Sequence, residues 1–359
     1  MKLLRFPQFH FLARNYYIVI KRKEKKYRDE IPAVSVIIPS YRSANHIRQC
    51  LNGLQAQKTE LLYEVIMVDS SDDGTDKIVC DEFPEVRLFH FKNRMSVGEA
   101  RNKGVKKAKG EIVLFLDSDC VARPDWIEKM VAAICTHGAD GVGGAMENGT
   151  PASITGSTGF YLEFFRFLGF EGQAQRTPFF VGGNSGFKKE IFTAFPTYHR
   201  YEEDSVGEDF IFNWELKKKG KLLLFLPSVV VKHLNKTGLR KVLSYQYKLG
   251  QGAYVYRSRV SPRIIRFLER LPLLSFFIPI AVMPWLGSMM LRRNGIWTFL
   301  KFLVLLPLLY SANNVWALGF YRELTRQKFK KPATSATSDI KKTKPAVRDF
   351  NYNRELVNE

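Results

Sequence analysis

Cysteine is scarce in this 359-residue chain, and nothing pairs the four it has: Cys50, Cys80, Cys120 and Cys135 form no Cys-x-x-Cys and no zinc-type spacing. That excludes a disulfide-framed secreted domain and a structural zinc module, and makes a reducing compartment the expectation. No cleavable signal peptide is expected, because the first residues are rich in bases and short of an apolar run. In a chain facing the cytoplasm, the sequons Asn148-Gly-Thr150 and Asn235-Lys-Thr237 then carry no meaning. There is no internal repeat, and neither Gly-x-Gly-x-x-Gly nor a Gly-Lys-Ser/Thr loop occurs. A Gly-rich turn is therefore not available to cradle phosphates.

Net charge is also missing from where most of the chain lies. The formal net charge is +20, yet residues 31–237 hold 25 Lys and Arg against 26 acids. Residues 1–30 hold 9 against 3, and residues 238–359 hold 21 against 6. The basic flanks are interleaved with apolar stretches, which suits an anionic membrane surface and not nucleic acid. Leu271–Leu291 is 21 residues without a charge and Phe302–Tyr321 is 20, each long enough to span a bilayer. Pro272, Pro279, Pro284 and Pro307 interrupt them, and a hairpin would put Arg292-Arg293 on the side opposite the basic flanks. Spanning helices, helices lying in the cytoplasmic leaflet and a buried helical pair all stay open. Phe9–Tyr27 mixes aromatics with lysines as an interfacial basic helix does, and the Ser/Thr/Lys/Pro-rich tail reads as disordered. The chain thus divides into a basic arm (1–32), a globular domain (33–255), a membrane-associated helical region (256–330) and a tail (331–359).

Within the globular part, short apolar runs alternate with amphipathic segments. Strands are expected at 34–38, 64–68, 86–91 and 112–116, with helices over 44–57, 74–83 and 97–108 between them. That order implies an α/β fold with a mostly parallel sheet and right-handed crossovers, like a nucleotide-binding half. Residues 140–237 are Gly-rich and less regular, and include a helix opened by Gly207-Glu208-Asp209 and a split strand over 222–231 that ends at His233. The most informative run is Glu111-Ile-Val-Leu-Phe-Leu-Asp117-Ser118-Asp119. A buried strand there delivers two carboxylates to the end where open α/β sheets bind ligands, and acids at i and i+2 suit a hard divalent cation.

Four segments align in order: Val36-Ile-Ile-Pro39-Ser40-Tyr41, Val68-Asp69-Ser-Ser-Asp72-Asp73-Gly74-Thr75, Gly98-Glu-Ala-Arg101-Asn102-Lys-Gly104 and Leu116-Asp117-Ser118-Asp119. With Gly182-Gly183-Asn184-Ser185 and Gly207-Glu208-Asp209 further on, the chain resembles the inverting family 2 glycosyltransferases over about residues 33–255. The resemblance implies the GT-A fold and transfer of a single sugar from a nucleotide-sugar, by preference a UDP-sugar. The basic, apolar C-terminal part, and not the resemblance, favours a lipid-linked or cell-envelope glycan acceptor at the cytoplasmic face of the membrane. The resemblance implies Mg²⁺ or Mn²⁺ held by Asp117 and Asp119, with His233 as a further ligand. Asp209 matches the base, and Glu208 beside it orients or binds acceptor. Pro39, Tyr41 and Asp69 would line the base pocket, Arg101 would meet the donor, and Asn184 would belong to the same site. Whether Asp72 or Asp73 faces the ligand or caps the next helix stays open.

Rival readings leave different traces. A processive polysaccharide synthase would carry Gln-x-x-Arg-Trp where this chain has Gln246-Tyr-Lys248-Leu249, and would need more apolar segments. A sugar nucleotidyltransferase would show a Gly-rich loop after the first strand. A catalytically silent nucleotide-sugar scaffold would have lost acids at 117, 119 or 209, and all three are present.

Overall fold

Period-two burial builds the sheet. In β1 (Val34–Ser40) all seven residues are buried, which a strand covered on both faces requires. Val34, Val36 and Ile38 join one apolar cluster and Ile37 joins the opposite one. The computed structural model describes residues 33–195 and 206–330. The expected basic arm and tail lie outside the described residues.

The chain runs β1, α1 (Ile47–Gln55), β2 (Tyr63–Asp69), α2 (Thr75–Glu82), β3 (Arg87–His90), α3 (Val97–Lys107) and β4 (Ile112–Leu116). These are the elements the apolar periodicity predicts, within a few residues. Then come β5 (Cys120–Ala122), α4 (Trp126–His137), β6 (Gly141–Asn148), α5 (Ile154–Phe164), β7 (Gln175–Arg176) and β8 (Asn184–Lys188). The globular part ends with α6 (Ile191–Ala194), α7 (Glu208–Lys218) and β9 (Leu223–His233). Among the described residues one sheet has the order β3-β2-β1-β4-β8-β6-β9-β5, with β7 on β9. One half, β3-β2-β1-β4, is parallel as expected. In the other half β8 runs antiparallel to both β4 and β6, and β5 runs antiparallel to β9. The sheet is therefore mixed. Helices α1, α2 and α4 cover one face and α3, α6 and α7 the other.

β9 is split as its sequence suggests. Its pairing with β6 jumps from Gly144↔Leu226 to Ala145↔Val230. Pro227, which has no N–H to give the ladder, sits in the skipped stretch.

After β9, the 22-residue α8 (Leu239–Val260) runs through the expected domain boundary at 255. α9 (Pro262–Arg270) follows, and then α10 (Ile278–Lys330), which breaks at Gly295 with φ of 79°. Pro272–Arg292 and Gly295–Arg326 are long and apolar enough to cross a membrane. They fold back on one another through Met283, Leu286 and Met290 against Phe302, Leu305 and Leu309. The hairpin docks closely on α8. A Cβ on Gly250 would lie 2.0 Å from the Trp316 carbonyl oxygen, and one on Gly319 would lie 2.1 Å from that of Tyr247. The two backbones touch where each helix has a glycine.

Gly319→Val should lower the unfolding free energy by about 1–3 kcal/mol, the usual cost of overpacking. Gly159→Ala, where a Cβ would meet Val242 no closer than 3.5 Å, should be neutral or stabilise by up to about 1 kcal/mol. Denaturant titration of both variants in one detergent checks the contrast.

Candidate active site

The chain steps from β1 outward to β2 and β3, then returns to the other side of β1 at β4. Where the direction reverses, a crevice opens beyond the carboxyl ends of β1 and β4. The loops on its two sides are tied by Ser43 Oγ and Ser118 Oγ at 2.7 Å. The cleft grown from this crevice has a volume of about 600 Å³. Pro39 and Tyr41 line it from the β1 side, Asp117 and Asp119 from the β4 side. Arg94 stacks on the Tyr41 ring at 4.8 Å.

Arg101 organises the middle. α3 is capped by Ser96, whose hydroxyl accepts from the Glu99 amide, and this helix sinks Arg101 to 2% exposure. Its Nη2 donates to Asp117 Oδ1 at 2.8 Å and its Nη1 to Glu208 Oε1 at 3.0 Å. The Phe115 ring lies 5.7 Å away. A buried cation is tolerable only when paired in this way. The strand end expected to meet the donor and the helix start expected to meet the acceptor are thus joined through one guanidinium. The next loop must pass close over this pair. A Cβ on Gly182 would lie 2.4 Å from Arg101 Nη1, and one on Gly183 would lie 2.2 Å from Asp117 Oδ2. Glycine is demanded there by contact and not by a turn.

α7 brings Glu208 and Asp209 in at its N-terminus, behind Gly207 with φ of +107°. Glu208 Oε2 accepts from the Gly207 amide at 3.1 Å. Asp209 Oδ2 accepts from the Gly182 amide and Oδ1 from the Phe210 amide, both at 2.8 Å. Burial pushes both carboxyls above their usual range. The Asp209 charge adds to the rise at Glu208, and Arg101 opposes it at both. A carboxylate raised in this way is a stronger base than one in water.

The third group comes from the register of β5 on β9, which sets Cys120 opposite His233. Asp119 Oδ2 lies 3.5 Å from His233 Nε2. The tautomer of His233 follows from its neighbours. The Thr150 amide donates to Asn148 Oδ1 at 2.9 Å, so that atom is an acceptor. Asn235 Nδ2 then donates to it at 2.7 Å. That leaves Asn235 Oδ1 to accept from His233 Nδ1 at 2.6 Å. Nδ1 therefore carries a proton, and Nε2 is the ring atom that faces Asp119. A carboxylate facing an imidazole nitrogen is a fitting donor pair for a divalent ion. Among the described residues Asp119, Cys120 and His233 are grouped within 4.8 Å of one another. Burial holds the Cys120 thiol well above its usual range, hence protonated. Asp117 is not grouped with them; its Oδ1 accepts from Arg101 Nη2.

Two expected residues do not reach the cleft. Asn184 is buried at the mixed half of the sheet. Its Oδ1 accepts from Trp126 Nε1 at 2.8 Å, and its Nδ2 donates to the carbonyls of Ala145 at 2.8 Å and Val229 at 3.3 Å. It bridges the split in β9 and is a structural residue. Asp69 is fully buried; it accepts from the amide and hydroxyl of Ser71 and pairs with His90 Nδ1 at 2.8 Å. It shapes the β2 end from behind. Asp73 accepts from the Thr75 and Ala44 amides and so caps the start of α2, while Asp72 pairs with Arg42 at 2.6 Å.

Other cleft residues carry no motif that marks them in advance. Glu163 accepts from the Tyr245 hydroxyl at 3.3 Å, and Lys236 lies 4.0 Å over the Tyr245 ring. Burial raises the Glu163 carboxyl, and His233 and Lys236 oppose the rise.

Gly183→Ala should reduce turnover at least as much as Asp117→Asn, since its methyl would displace the Asp117 carboxylate; steady-state rates of the two variants check this. Asn235→Ala, which removes the acceptor holding His233 Nδ1, should weaken Mn²⁺ binding by about 10–100-fold. Titration calorimetry with the metal alone measures the loss.

Residues 35–195 match the family described as Glycosyl transferase family 2. Glycosyltransferase AglE of Haloferax volcanii is 37% identical over 122 residues, which are 33% of this chain and 40% of that protein. Glycosyltransferase GlyG of Streptococcus pneumoniae is 29% identical over 119 residues, 32% of this chain and 39% of that one. The chain thus matches well under half the length of these relatives. The mannosyltransferase PcManGT from Pyrobaculum calidifontis, solved with GDP-Man and Mn²⁺, superposes with a TM-score of 0.54 at 17% identity. That likeness covers 89% of this chain and 96% of that one, and it shows the fold. Residues 35–195 thus match a family 2 glycosyltransferase domain, in a chain whose fold is of the GT-A kind.

Proposed function

We propose that this protein transfers a single sugar, with inversion, from a nucleotide-sugar to a lipid-linked or cell-envelope glycan acceptor at the cytoplasmic membrane face. A UDP-sugar is the favoured donor. The observation that carries the reading is the pairing within one cleft of a carboxylate–imidazole site, Asp119 with His233, and a half-buried carboxylate, Asp209. Arg101 and Asp117 stand between them.

Inversion is a single displacement. The acceptor hydroxyl oxygen bonds to the anomeric carbon as the bond from that carbon to the diphosphate oxygen breaks. The hydroxyl proton goes to Asp209 and the electron pair leaves with the nucleoside diphosphate. A divalent ion held by Asp119 and His233 would supply positive charge for the departing diphosphate. Asp209 is fixed by two amide N–H groups, so its carboxylate is oriented before substrate arrives. Pro39 and Tyr41 lie where the nucleoside would stack. The membrane reading rests on the basic flanks and the two apolar helices, whose windows are only 33% and 22% buried within the protein.

Asp209→Asn should cut kcat by about 10²–10⁴-fold, the range for a lost general base, with little change in donor KM. Nucleotide release from a panel of UDP- and GDP-sugars, with membrane lipid and Mn²⁺, tests this. Release from one donor that a chelator abolishes supports the reading, and absence of nucleotide binding to any donor overturns it. The acid limb of kcat/KM should lie above that of an ordinary carboxylate. The base must be ionised, and burial raises its pKa, so activity falls as pH drops through that raised value. A pH–rate profile locates it.

A further inference from the structure

Beyond Asp209 the cleft wall changes from acidic to aromatic and cationic. Phe210 stacks on Tyr256 with ring centres 5.2 Å apart. Arg257 Nε donates to the Tyr256 hydroxyl at 3.0 Å, and its guanidinium lies 5.7 Å from the Trp316 ring. Arg166 lies 4.9 Å over Trp285, and Phe165 meets the same indole edge-on at 4.9 Å. Arg166 and Arg257 both line this part of the cleft, together with Trp285 and Trp316. The same cleft is lined further out by Ile278 and Val282 of α10. Around them the apolar surface is open: Leu273 is 68% exposed, Phe277 62% and Ile280 54%.

We propose that Arg166 and Arg257 bind the diphosphate of a lipid-diphosphate-linked sugar, whose apolar chain runs past Trp285 and Trp316 onto the helical hairpin. This rests on the transfer reading above and names its acceptor. Two guanidiniums held on aromatic faces suit a diphosphate better than a neutral glycan. Their continuity with exposed apolar helices suits an anion that carries a lipid chain and not a free anion. The path also fits a hydroxyl nucleophile. Asp209 adjoins Phe210, Phe210 stacks on Tyr256, and Tyr256 is bonded to Arg257, so the cations stand apart from the base. A sugar ring occupies that interval, with its hydroxyl at Asp209 and its phosphates at the arginines.

Farnesyl diphosphate is the probe, titrated into the detergent-solubilised full chain in metal-free buffer and followed by tryptophan fluorescence. Metal-free conditions keep the diphosphate from the Asp119–His233 site. The expected result is saturable binding that farnesol and inorganic pyrophosphate each match at least tenfold more weakly. Arg166→Gln and Arg257→Gln should each weaken it by roughly tenfold, as for a lost charge-assisted bond. Arg166→Lys should recover part of the loss, and unfolding midpoints should not move. Equal binding of farnesol would overturn the anion site. Equal binding of pyrophosphate would overturn the lipid. Wild-type affinity in both glutamine variants would overturn the residues. Donor-derived nucleotide release measured in parallel separates these failures from failure of the transfer reading, since water can stand in for the acceptor.

Discussion

Arg101 is buried almost completely, and a charge in that position is tolerated only when it is paired. It is matched by Asp117 from the end of β4 and Glu208 from the start of α7, residues far apart in sequence. Much of the cleft follows from that requirement. The loop that closes over the pair must be Gly182-Gly183, because any side chain would strike the guanidinium or the carboxylate. The same loop gives its Gly182 amide to Asp209, so one approach of backbone to charge also aims the proposed base. Removing Arg101 would leave the Asp117 and Glu208 carboxylates without the cation that pairs with both.

A second constraint comes from the mixed half of the sheet. β9 must pair with both β5 and β6 while carrying Pro227 through its middle, and Asn184 satisfies the carbonyl groups that the resulting split leaves behind. With the split absorbed, the far end of β9 brings His233 level with Cys120 and beside Asp119. The carboxylate–imidazole site is thus a product of strand register, set by a proline and repaired by an asparagine.

These two constraints explain what could be read in advance. The parallel half was legible because β1, β2 and β4 are buried on both faces and so appear as unbroken apolar runs, and because acids at their ends have few uses in a core. β5, β6 and β8 were not legible: they are short or rich in glycine, and their partners lie elsewhere in the chain. Asn184 and Asp69 fell among motif residues, but a motif does not say which members face the ligand and which brace the fold. The reverse held for Asn148 and Asn235. Their Asn-x-Thr spacing looked like an idle sequon, yet at Asn148 it builds the turn in which a side-chain oxygen accepts from an amide two residues on. That turn anchors the hydrogen-bond chain to His233. Glu163, Tyr245 and the arginines at 166 and 257 gave no local signal because their meaning depends on a helix packing far from them in sequence.

The helical hairpin extends the site as well as the fold. Its backbone contact with α8 at Gly250 and Gly319 places Trp285, Trp316 and Asn313 in the wall of the same cleft that holds the carboxylates. A polar floor and an apolar exit therefore share one continuous surface, as the proposed amphiphilic acceptor would need. The central claim is a single displacement at the anomeric carbon with Asp209 as base, and the configuration of the first sugar released tests it most directly. Proton NMR of slow donor hydrolysis, recorded before mutarotation, reads that configuration. The account predicts the anomer opposite to the donor's; release with retained configuration would contradict it.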